Sequence, residues 1–161
     1  MTFSEIRSLI WKTLAEILGI TEPTAALTGA SATTFLRGDG TWSGLGTAAT
    51  VSTTDATVTT LATIAIPSST TVVIEAVVRA RRTGGTAGTA EDAAGYSIVT
   101  CYKNVAGTAT EVGETAVFTA EDQAGWACTF SASSSNALLR VTGAVDNNID
   151  WAVTYRTYTV T

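Results

Sequence analysis

Between residues 71 and 82 the side chains alternate one by one: Val72, Ile74, Ala76, Val78 and Ala80 fall on one side, and Glu75, Arg79 and Arg81 on the other. A period of two suits an extended strand with one face buried and fits no helix. This segment must therefore belong to a sheet that is covered on one side. Six further strand-like runs share the C-terminal region, at 58–66, 95–105, 108–119, 125–132, 137–145 and 149–160. Turn-forming residues punctuate them: Pro67-Ser68-Ser69, Thr83-Gly84-Gly85, Ala106-Gly107, Ser133-Ser134-Ser135-Asn136 and Asp146-Asn147-Asn148. Seven strands with regular turn signals and no helical pattern predict a mainly β architecture for residues 57–161, an antiparallel β-sandwich of jelly-roll type. The abundance of threonine suits it, because β-branching favours strands and the hydroxyl tolerates water.

Only 14% of the residues are charged, against about 25% in an ordinary soluble protein. Such a surface is weakly solvated in a lone chain, so part of it is expected to be covered by other subunits. The formal net charge of −5 opposes nucleic-acid binding, which needs a basic face. No run approaches the roughly 18 apolar residues of a membrane span, and the first residues lack a signal-peptide pattern, so no membrane insertion is expected. The chain has no histidine, which removes Ser-His-Asp and Cys-His catalysis and the commonest ligand of catalytic zinc. Cys101 and Cys128 are too far apart for a redox or zinc motif and are expected to be buried free thiols, unless their strands lie side by side. Neither a cofactor nor a metal is called for.

Residues 1–20 carry a different pattern. Phe3, Ile6, Leu9, Ile10, Leu14, Ile17 and Leu18 recur at three- and four-residue steps, the apolar stripe of an amphipathic helix. Thr2 with Glu5 fits a capping box, and Gly19 fits the position after the last turn. A helix this short is marginal alone, so its stripe would pack on sister helices, on another protein or on its own C-terminal domain. Its basic residues Arg7 and Lys12 are offset by Glu5 and Glu16, which disfavours a membrane-surface helix. Residues 21–56 are mostly Thr, Ala, Gly and Ser and are expected to form an extended linker or thin shaft.

That linker is interrupted at 32–43. Phe35 and Leu36 enter a predicted tight hairpin, Gly38-Asp39-Gly40 turns it, and Thr41 and Trp42 leave. Little in the flanking sequence would cover Phe35, Leu36 and Trp42. Three copies about a threefold axis would, with Arg37 and Asp39 placed to pair within or between chains. The embedded Arg37-Gly38-Asp39 tripeptide also matches an integrin ligand, but three residues match readily by chance. The whole segment resembles a short signature of tail fibres and related surface fibres of tailed bacteriophages. A looser resemblance to their terminal β-domains covers the Val78 to Gly88 stretch, Glu121-Asp122-Gln123-Ala124-Gly125-Trp126 and Val141-Thr142-Gly143-Ala144. The resemblance implies a homotrimeric virion protein made and assembled in the host cytoplasm, held by its N-terminus to other virion proteins, with its C-terminal domains facing outward towards the host surface. Repeated shaft elements found in many such fibres are absent from this sequence, which implies a stub fibre at a baseplate or a spike on the capsid. A trimeric capsid decoration, cement or head-fibre protein is the alternative. An envelope polysaccharide depolymerase is a third reading, and no enzymatic role is expected.

One internal echo bears on chemistry. Thr89-Ala90-Glu91-Asp92-Ala93-Ala94-Gly95-Tyr96 recurs as Thr119-Ala120-Glu121-Asp122-Gln123-Ala124-Gly125-Trp126. If the strands at 95–105 and 108–119 form a hairpin, both acidic loops reach one end of the domain and bring four carboxylates together. Such a cluster could hold calcium or act on a glycoside, or could simply be two solvated strand-entry turns. Arg79, Arg81 and Arg82, with loop-adjacent Tyr96 and Trp126, are candidate contacts for host surface polysaccharide, the arginines for an anionic group. Charges at strand ends also serve to block edge-to-edge pairing.

Overall fold

The computed structural model describes residues 34–36, 42–44 and 46–161. The chain divides into two compact units, Met1–Leu45 and Gly46–Thr161. The expected helix, with Phe3, Ile6, Leu9, Ile10, Leu14 and Ile17, lies outside the described residues. So do Arg37, Gly38, Asp39 and Gly40 of the signature turn. On either side of that turn, strands β1 (Thr34–Leu36) and β2 (Trp42–Gly44) pair antiparallel, with Leu36 opposite Trp42 and Phe35 opposite Ser43.

The second unit is built from nine strands: β3 (Thr47–Thr53), β4 (Thr59–Ala65), β5 (Thr70–Gly85), β6 (Ala93–Val105), β7 (Thr108–Glu111), β8 (Ala116–Glu121), β9 (Ala127–Ser133), β10 (Asn136–Thr142) and β11 (Asn147–Val160). One sheet runs β3-β11-β5-β6, with β7 and β8 sharing the free side of β6; the other runs β4-β10-β9. Every pairing is antiparallel. The antiparallel sandwich is as expected, but its strand count and connections differ from a jelly roll. The sheets have six and three strands; β6-β7 and β9-β10 are hairpins closed by two-residue turns, β5-β6 stays in one sheet through a longer loop, and β4-β5 and β10-β11 cross between the sheets. Ala106 and Gly107 both adopt positive φ (52° and 89°), the geometry of the tightest hairpin turn, between β6 and β7.

Two further differences follow from local chemistry. The run at 108–119 is broken into β7 and β8 around Gly113, at φ 73°. Residues 47–53, expected to belong to the linker, form an edge strand along β11, from Thr53 opposite Ile149 to Thr47 opposite Tyr155. Small residues mask the alternation there, although Val51 and Thr53 turn inward and Thr50 and Ser52 outward.

Between the sheets lie the inward residues of the alternating strands. One cluster gathers Ala76, Val78, Ile98, Ile149, Trp151 and Val153 of the larger sheet against Leu61, Cys128, Leu139 and Val141 of the smaller one. A second, around Ile66, Ile74, Tyr102 and Ala137, continues it, and Phe130 and Tyr155 pack against both. Leu61 and Ala62 are both buried, which breaks strict alternation; a bulge opposite Leu139 and Arg140 supplies the extra residue. Trp151 anchors the centre: its ring lies 5.8 Å from Trp126 and 6.3 Å from Tyr96, and its indole N–H donates to Thr53 Oγ1 at 2.9 Å. Cys128 is buried in this core and Cys101 is half-buried on β6; both are free thiols, on strands of different sheets.

Candidate functional site

The two acidic segments do meet. Because β8 pairs with the first half of β6, Ala94 opposite Glu121, the loop before β6 and the loop after β8 emerge together. Backbone and side chain then stitch them: Asp122 N–H donates to Ala93 O at 3.1 Å, Ala93 N–H to Asp122 Oδ2 at 2.9 Å, and Gln123 Nε2 to Asp92 Oδ2 at 2.8 Å.

Each of the four carboxylates is engaged inside this end of the molecule. Asp92, 7% exposed, also accepts the Thr89 N–H at 2.6 Å, and its own N–H donates to Thr89 O at 3.2 Å, so the two residues close the 89–92 loop reciprocally. Glu121 accepts the Tyr96 hydroxyl at 2.7 Å, and Glu91, at φ 72°, pairs with Arg81. Burial, reinforced by the hydrogen bond to Glu121, pushes the Tyr96 hydroxyl well above its ordinary range, so it stays a donor at any ordinary pH. The packing is close. A Cβ added at Gly88, whose φ is +75°, would sit 2.7 Å from Asn147 Nδ2 and 3.1 Å from Asp92 Oδ2. Carboxylates committed in this way act as fasteners, and among the described residues no three His, Cys, Asp or Glu side chains form a metal-binding group.

The glycan candidates separate by position. Tyr96 and Trp126 are buried, at 3% and 2% exposure. They pack on Trp151 and offer no ring face to a sugar, which corrects the expectation drawn from their place beside the loops. Arg82 turns into its own loop, where Nε donates to Ala87 O at 2.8 Å and Nη2 to Gly85 O at 2.7 Å. These bonds, with Ala87 N–H to Asp146 O at 3.0 Å, tie down a stretch whose glycines suggest mobility. Arg81 reaches Glu91. Arg79 is exposed and makes no hydrogen bond or ion pair with the described residues.

Arg79 borders a feature that sequence reasoning missed. On the outward face of the larger sheet, an open depression of about 520 Å³ is lined by Thr50, Val51 and Ser52 of β3 and Asp150, Trp151 and Ala152 of β11. Ala152 sits opposite Arg79 on one side and Thr50 on the other; Asp150 sits likewise between Arg81 and Ser52. The small Ala152 side chain makes the hollow, and Ser52 Oγ donates to Asp150 Oδ1 at 2.6 Å along its rim. The signal for it was the faint alternation at 47–53.

No protein family and no curated protein matches this sequence. Among solved structures, the chain is similar to the tailspike protein of Acinetobacter phage vB_ApiP_P1, at 17% identity and a TM-score of 0.33 over 68% of this chain. The match spans 22% of the tailspike's length.

Proposed function

We propose that this chain is a short homotrimeric tail fibre of a bacteriophage, held in the particle by its N-terminal segment and contacting the host surface with its β-sandwich. The observation that carries this reading is the segment from Phe35 to Trp42. Its resemblance to the fibre signature is joined by the antiparallel pairing of its flanks, Leu36 opposite Trp42, the hairpin that the Gly38-Asp39-Gly40 turn calls for. Three such hairpins would bury Phe35, Leu36 and Trp42 against one another.

The sandwich adds support of a second kind. On its larger sheet, Val77, Val99 and Phe118 lie on neighbouring strands and are 50%, 43% and 69% exposed. Strand β8, exposed along its whole length, ends that sheet with an edge rich in apolar residues. Soluble monomers rarely leave such an area uncovered, and a neighbouring chain would close it along the β6–β8 side of the sheet, away from β3.

Labelling the protein on intact particles tests the reading. Label at the tail, together with binding of purified protein to host cells that envelope polysaccharide competes away, is the expected result. Label spread over the capsid, with adsorption intact after the protein is stripped, would replace the fibre with a decoration protein.

A further inference from the structure

We infer that the depression over Ala152, bordered by Arg79, is a binding site for a carboxylate-bearing sugar, such as one unit of an acidic polysaccharide. Charge segregation points there first. Residues 46–161 hold six cationic side chains, and four of them, Arg79, Arg81, Lys103 and Arg156, project from the outward face of the larger sheet, where the strands themselves contribute only Glu75 and Asp150 as acids. Glu91 takes up Arg81, so on this face, which keeps a slight positive excess in a chain of net charge −5, Arg79 is the cation beside the hollow and the group that would draw in an anion.

The chemistry of the rim narrows the class. Arg79, without a hydrogen bond or ion pair among the described residues, is a guanidinium beside a hollow, suited to a bidentate grip on a carboxylate. Around the hollow, Thr50 and Ser52 present hydroxyls, and Asp150 keeps one carboxylate oxygen beyond the one taken by Ser52. Donors and acceptors set around a cation match a ring carrying several hydroxyls and one acid group. The rows Thr50–Ala152–Arg79 and Ser52–Asp150–Arg81 cover about 10 Å by 7 Å, from the strand spacing and rise. Trp151 lines the hollow from the core side, buried and hydrogen-bonded to Thr53. With no aromatic ring turned outward there, recognition has to be ionic and hydrogen-bonded, which favours an acidic sugar over a neutral one.

This rests on the fibre reading only for the source of the sugar, and binding itself is a property of the chain. The test is calorimetric or NMR titration of the full chain with a short galacturonic acid oligomer, a neutral galactose oligomer of the same length, and inorganic phosphate. The expected result is binding of the uronate oligomer alone, weakened by added salt, with amide shifts centred on Thr50 to Ser52 and Asp150 to Ala152. Arg79→Ala should weaken it about tenfold or more. Ala152→Gln, which fills the hollow and leaves the guanidinium, should do the same with an unchanged melting temperature. The site is overturned by absence of uronate binding, by equal binding of the neutral oligomer or phosphate, or by wild-type affinity in both variants. Those outcomes leave tail labelling untouched, and capsid labelling would defeat the fibre reading while leaving the titration to stand.

Discussion

The acidic end of the sandwich and its outward face hold similar residue types and use them in opposite ways. At the acidic end, Asp92, Asp122, Glu121 and Glu91 each meet a partner, and Arg82 spends its donors on two carbonyls of its own loop. On the outward face, Arg79 stands beside an open hollow with no partner among the described residues. Polar groups that satisfy one another hold a structure together. Those left open at a surface are the ones available to a ligand.

The largest test of that contrast is Asp92→Ala. It strands the Thr89 amide and the Gln123 side chain, and at about 1–3 kcal/mol for a group left without its partner should cost about 3 kcal/mol in denaturant unfolding. Gly88→Ala should cost about 2 kcal/mol, from its positive φ and its approach to Asn147. Arg79→Ala should stay within about 0.5 kcal/mol of wild type. Equal losses at all three positions would erase the distinction.

Alkaline titration sharpens it further, because the interior contains groups that resist ionising. Burial pushes the Cys128 thiol up from 9.0 to about 12 and, with the nearby Glu111 charge, the Tyr102 hydroxyl from 10.0 to about 12. The folded state therefore holds these protons after the unfolded chain has released them. Stability should be level below about pH 9 and fall steadily towards pH 12. Tyr102→Phe should reduce that fall. Among the described residues the buried Tyr102 hydroxyl has no hydrogen-bond partner, so this variant should also be as stable as wild type or more so at neutral pH, by up to about 1 kcal/mol in thermal melts. The smallest effect expected is at Ala106, a non-glycine residue at φ 52°. Ala106→Asn should stabilise the β6–β7 turn by about 0.5 kcal/mol, whereas a loss would show that the turn is held by its neighbours.

How much of this was legible in the sequence depended on how sharply each segment alternates. The segment from Val72 to Arg82 combines large apolar with charged residues and reads as a strand at once. Thr47-Ala48-Ala49-Thr50-Val51-Ser52-Thr53 also alternates, but Ala and Thr differ too little in polarity to show it, and the hollow was missed with the strand. The echo around Asp92 and Asp122 correctly placed two acidic loops at one end. What the residues could not show was their partners: the bonds from Gln123 to Asp92 and from Tyr96 to Glu121 span 31 and 25 residues and exist only once β8 lies along β6. Tyr96 and Trp126 misled for the same reason, since proximity to a loop in sequence says little about which face of a strand a ring will take. Their inward face follows from the register with Trp151.

The central claim is that three copies of this chain close over one another through the hairpin carrying Phe35, Leu36 and Trp42. Light scattering on the purified full chain at micromolar concentration measures this directly. The account predicts a mass of three chains, falling towards one in Trp42→Ala, while a stable, well-behaved single-chain species in the unaltered protein would contradict it.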